Sequence, residues 1–62
     1  MLKEKRKNLR ISQKEAAKIL GINNSYLSLI ESKKRKNLKI DLIEKICKLY
    51  KITIDDFLNW LN

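Results

Sequence analysis

A single glycine set between two helix-capping signals, in a chain without proline, constrains this sequence more than any other feature. The stretch runs from Ser12 to Glu31, SQKEAAKILGINNSYLSLIE. Ser12 is a favourable N-cap residue, and Glu15, three positions later, completes a capping box. Ala16, Ala17 and Leu20 then share one helical face. Gly21 can adopt a left-handed backbone without a Cβ penalty and so closes that helix. Asn23 caps a second helix with Leu27 and Ile30 as its apolar stripe, leaving Asn24, Ser25 and Tyr26 facing outward at its start.

Short helix, glycine turn and short helix with a polar leading end make a helix-turn-helix layout, in which the second helix enters the DNA major groove N-terminus first. The residues Ser12-Gln13, Ala17, Gly21, Ser25, Leu27-Ser28 and Ile30-Glu31, with the basic run Lys33 to Lys36, resemble the phage Cro/repressor type of regulator, the XRE family. The resemblance extends over nearly the whole chain. It implies an all-α, compact five-helix, lambda-repressor-like DNA-binding domain over residues 1–62, with the helix-turn-helix at about 13–32. It also implies a sequence-specific regulator of double-stranded DNA. The chain departs from the family pattern at Arg10 and Lys51, where glycine is usual, and at Leu38, where proline is usual. Ala16 replaces a commoner leucine, and Leu29 stands where a polar or basic residue is usual.

Charge supports the same partner. The formal net charge is +8. Twelve Lys/Arg against three Glu fall in residues 1–40, whereas residues 41–62 carry three Lys against four acids. The cationic excess therefore coincides with the helix-turn-helix and predicts phosphate neutralisation and counterion release. A chain of ~60 residues buries only about 60% of its unfolded surface, so its core is marginal. One cysteine cannot pair within the chain, and no apolar run approaches the ~20 residues that span a bilayer. With no signal-peptide pattern, the expectation is a cytoplasmic protein without membrane association.

Along the chain, residues 2–8 read as a first helix with Leu2 and Arg6 inward, and Ile11 can act as a hydrophobic staple ahead of Ser12. The second and third helices run about 13–20 and 24–32. Ser32 to Asn37 reads as a basic loop. A fourth helix, about 40–50, carries Ile40, Ile43, Ile46, Cys47 and Tyr50 as its core stripe. A last helix opens at Thr53 or Asp55, with Ile54, Phe57, Leu58 and Leu61 as its apolar face. Ile52-Thr53-Ile54 alternates but is too short for a strand.

The site expectations follow from this layout. Asn24, Ser25 and Tyr26 are base-edge readers, and Leu29, one turn after Ser25, can meet a thymine methyl or pack onto the first helix. Gln13, Lys14, Asn23, Lys33, Lys34, Arg35, Lys36 and Asn37 are candidates for the sugar-phosphate backbone, which positions a protein without specifying sequence. The resemblance implies a structural ion pair between Arg6 and Glu31. Leu42, Leu49 and Trp60 fall outside the inferred core faces and form a candidate dimer patch, matching a palindromic operator.

Histidine is absent, and neither a catalytic constellation nor a metal-ligand spacing is present, so no enzyme and no cofactor is expected. Asp55-Asp56 suits a helix N-terminus. Cys47 reads as a buried structural thiol. A repressor acting as a homodimer, at least on DNA, is the leading reading. A protein-interaction module, such as the antitoxin of a toxin–antitoxin pair, and a nonspecific nucleic-acid coat are the alternatives.

Overall fold

The computed structural model describes residues 1–62 as five helices joined by short turns: α1 (Leu2–Asn8), α2 (Gln13–Leu20), α3 (Asn24–Glu31), α4 (Ile40–Tyr50) and α5 (Ile54–Leu61). The sequence-predicted boundaries hold to within a residue; α3 stops at Glu31 rather than about residue 32. Ile52-Thr53-Ile54 forms no strand, because Thr53 is the N-cap of α5.

Local side-chain hydrogen bonds account for where α2, α3 and α5 start; α1 and α4 have no such cap. Ser12 Oγ accepts the Glu15 amide at 3.0 Å, while Glu15 Oε1 accepts the Ser12 amide at 2.9 Å. These bonds hold the Glu15 carboxyl below its ordinary pKa. Asn23 Oδ1 accepts the Tyr26 amide at 2.7 Å, and Thr53 Oγ1 accepts that of Asp56 at 3.0 Å. Each side chain satisfies one of the orphan donors at a helix start.

The helix ends share a second device. At Gly21 (φ +74°) the chain turns left-handed, and the Ile22 amide reaches back to the Ala17 carbonyl at 3.0 Å. At Lys51 (φ +58°) the Ile52 amide reaches the Cys47 carbonyl at 3.1 Å in the same way. Lys33 (φ +63°) follows α3, with the Lys34 amide on the Leu29 carbonyl at 2.9 Å, and Arg10 (φ +60°) follows α1. A left-handed backbone costs a residue with a Cβ ~1–2 kcal/mol. Arg10 and Lys51 are two of the positions where the family pattern has glycine; here each sets a cation beside the negative end of a helix dipole.

Packing gathers one hydrophobic core of twelve buried residues drawn from all five helices. Leu2, Ala16, Leu27, Ile30, Ile46 and Phe57 are fully enclosed. Ile11 packs against the edge of this core, as its place before the Ser12 cap anticipates, and Leu38 also packs there.

Three expectations about apolar faces are corrected. Ile40 is 60% exposed although it continues the stripe of Ile43, Ile46, Cys47 and Tyr50, because the first turn of α4 runs past the edge of the core. On α5 Phe57 and Leu61 are the buried residues; Ile54 and Leu58, one turn apart, stay exposed on the side of the helix turned from the core. Leu42, Leu49 and Trp60 are not outlying surface residues: all three are half-buried and packed against the core. The Trp60 ring stacks on Phe57, centroids 6.1 Å apart, and closes one end of the molecule.

Candidate nucleic-acid interface

The interface is built around the orientation of α3, and one carboxylate fixes it. Glu31, the last residue of α3, receives Arg6 Nε at 2.9 Å and Arg6 Nη2 at 3.3 Å from α1. Gln13 Nε2 of α2 donates to it at 3.1 Å, and Tyr50 Oη of α4 donates at 2.8 Å. Arg6 Nη1 also donates to the Ile11 carbonyl at 3.2 Å. The ion pair implied by the resemblance is therefore present, and it is buried: the two side chains are 9% and 4% exposed. No buried side-chain nitrogen or oxygen lacks a partner. Four helices are tied through a single carboxylate.

The electrostatics of this node are mutually reinforcing. Burial pushes the Glu31 carboxyl upward, but the hydrogen bonds from Arg6, Tyr50 and Gln13 and the Arg6 charge outweigh it, leaving the pKa lowered. The bond to Glu31 raises the Arg6 pKa against the effect of burial. Burial first, and then the carboxylate it bonds to, drives the Tyr50 hydroxyl far above its ordinary range. The node is charged on both sides and stays so at neutral pH.

Held this way, α3 presents its N-terminal end to solvent. Asn24 and Ser25 are exposed, as is Leu29, at 42%. Asn23 is exposed too, with its carbonyl oxygen used as the cap and its amide nitrogen left outward. Tyr26, expected to face outward, is instead half-buried against the core, with the Arg35 guanidinium 5.3 Å from its ring centroid. This contact folds the basic loop back towards the start of α3.

Lys33 at the other end of the loop stands 5.0 Å over the Trp60 ring. Such cation–π contacts contribute ~0.5–1 kcal/mol at exposed sites. Lys34, between these two anchors, and Lys36 and Asn37, just beyond them, are exposed, and Lys14 is exposed near the N-terminus of α2. Gln13, expected at the sugar-phosphate backbone, is half-buried and has an amide N–H on Glu31. The hydrogen bonds of Tyr50 and Gln13 to Glu31 are what the sequence did not reveal, since by pattern Tyr50 reads only as core and Gln13 only as a DNA ligand. A tyrosine on an otherwise apolar stripe needs a partner for its hydroxyl, and that was the available signal.

Two helices crossing at a left-handed glycine, with a locked second helix whose polar tip and flanking cations are exposed, define a DNA-binding helix-turn-helix unit. A helix-turn-helix family model matches residues 2–57, and the chain belongs to this family, in its XRE type. It is a DNA-binding transcriptional regulator. Comparison with curated proteins and with solved structures returns no match. No helix is long and apolar enough to cross a membrane, and no three His, Cys, Asp or Glu side chains converge as a metal site would require.

Proposed function

We propose that residues 1–62 act as one helix-turn-helix unit that represses transcription by occupying a palindromic operator as a homodimer in the cytoplasm. The observation that carries this reading is the exposed polar tip of α3, flanked by the exposed cations of the Lys33–Lys36 run. Asn24 and Ser25 read base edges in the major groove, where an asparagine can bond bidentately to adenine. Leu29 meets a thymine methyl. Tyr26, half-buried under Arg35, contributes its ring edge and chiefly positions Arg35. Lys14, Asn23, Lys34, Arg35, Lys36 and Asn37 hold phosphates, with Lys33 beside Trp60. Gln13 serves the interface by steadying Glu31 while the N-terminus of α2 faces the backbone.

The exposed pair Ile54 and Leu58 on α5 is an apolar surface for self-association, in place of Leu42, Leu49 and Trp60. Selection of bound sequences from a random duplex pool tests the reading. The expected result is one motif with two-fold symmetry and half-sites about one helical turn apart. Recovery of no motif, with affinity for selected and random duplexes within ~10-fold, would favour a nonspecific coat instead. Affinity should fall with salt, with a log–log slope of about −5 for ~6 phosphate contacts.

A further inference from the structure

We infer that an open apolar groove between α1, α2 and α4 is a docking surface for an acidic amphipathic helix of another protein. The groove has a volume of about 600 Å³. Ile11, Ile19 and Leu49 form part of its apolar surface, and Lys45, Lys48 and Lys51 border it. Ile19 is the most exposed large apolar side chain of the protein, at 61%, and it stands off the stripe by which α2 packs. Ile19 is not part of the core or packed against it, and it adjoins Ile11 and Leu49 in one groove rather than standing alone on the surface.

The shape and the charge together select the occupant. The groove is open along its length rather than enclosed, so it cannot surround a small ligand as a cofactor cavity does. An amphipathic helix fits such a trough by laying one apolar face into it. The groove's own lining carries three lysines and no acidic residue; Asp41 and Glu44 lie in an adjoining polar patch that shares Lys45 and Lys48 with it. Three lysines on the rim therefore call for carboxylates flanking the apolar face of the partner. A two-fold contact with a second copy would set these lysines against their own counterparts, which disfavours self-association here. The groove contains no residue of α3 or of the 32–39 loop, so a docked partner and a DNA duplex occupy different surfaces.

The test uses the full chain and a fluorescein-labelled designed helix of about 15 residues, with leucines at helical spacing on one face and glutamates elsewhere. Two control peptides accompany it: the same composition in scrambled order, and the same pattern with lysine for glutamate. Saturable binding of the patterned acidic peptide is expected, at least ~10-fold tighter than either control. Ile19→Asp, which leaves the core untouched, should weaken it ~10-fold or more by removing an isoleucine that the docked peptide covers and adding a charge like the peptide's own. Lys48→Glu should weaken it and steepen nothing in the unfolding curve. The inference is overturned if the scrambled or lysine peptide binds as well, or if Ile19→Asp has no effect. Sedimentation of the free chain as a dimer that Ile19→Asp dissociates would also overturn it, by giving the groove to a second copy.

Discussion

Replacing Glu31 by alanine removes the acceptor of four hydrogen bonds at once, from three helices other than its own. It leaves a guanidinium that is 9% exposed without its counter-charge, beside an amide and a phenol that have lost their partner. Breaking one side of a buried ion pair in this way costs ~3–5 kcal/mol. A 62-residue domain at ~0.05–0.15 kcal/mol per residue has only about 3–9 kcal/mol to lose. Glu31→Ala should therefore bring the chain close to its unfolding midpoint at room temperature. Glu15→Ala, which loses only a capping box at the surface, should cost ~1 kcal/mol, or about 4–8 °C in Tm.

Urea unfolding followed through Trp60, the sole tryptophan, measures both variants. The double variant Arg6→Met/Glu31→Leu replaces the pair by apolar groups and should recover part of the Glu31→Ala loss, because neither charge is then stranded. A Glu31→Ala effect no larger than that of Glu15→Ala would refute the reasoning. So would a double variant whose loss equals the sum of those of Arg6→Met and Glu31→Leu made singly, since that would mean Arg6 and Glu31 do not interact.

Lys51→Gly should raise stability by ~0.5–1 kcal/mol by relieving the left-handed strain, while Lys51→Val lowers it; Gly21→Ala should cost ~1 kcal/mol through backbone alone, because an added Cβ meets nothing within 4 Å. Thermal melts distinguish all three. Glu31 has a lowered folded-state pKa, so its contribution is present above the ordinary carboxylate range and is lost as pH falls through that range towards the folded value. Tyr50 has a raised one, so its contribution is complete below ~10 and declines as pH rises past it. Stability should thus drop at both extremes, and Glu31→Gln should flatten the acid side of the profile. Asn24→Ala should relax sequence preference with little change in salt slope, whereas Lys34→Ala should weaken all duplexes alike and reduce the slope by about one. Burial raises the Cys47 thiol pKa, so disulfide-exchange reagents should label it only at the rate of unfolding.

Local chemistry made most of the fold legible in the sequence. Ser12, Asn23 and Thr53 each carry a side chain that names a helix start, and Gly21 names a helix end. What periodicity could not give is where a stripe leaves the core. Ile40 and Ile43 look equivalent by spacing, yet only the second is covered, because coverage depends on neighbouring helices and not on α4 itself. Trp60 and Leu42 lay off the expected faces, but long or broad side chains reach the core obliquely. Within the site, Asn24 and Ser25 were readable as an exposed tip. The contacts of Glu31 with Gln13 and Tyr50 span eighteen and nineteen residues and arise only when α2, α3 and α4 meet. Gln13 consequently looked like a DNA ligand when its nearest partner is internal.

The left-handed residues at the helix ends also bear on which substitutions this protein can accept. Arg10, Lys33 and Lys51 are all at the surface, where ordinary side chains exchange freely. Their positive φ values reverse that freedom: glycine and asparagine enter without difficulty, whereas valine, isoleucine and threonine are rejected despite having ample room. Natural variation at these three places should therefore run along a narrow set of residues, narrower than at half-buried Leu42 or Leu49, and mutational tolerance will follow backbone handedness more closely than solvent exposure.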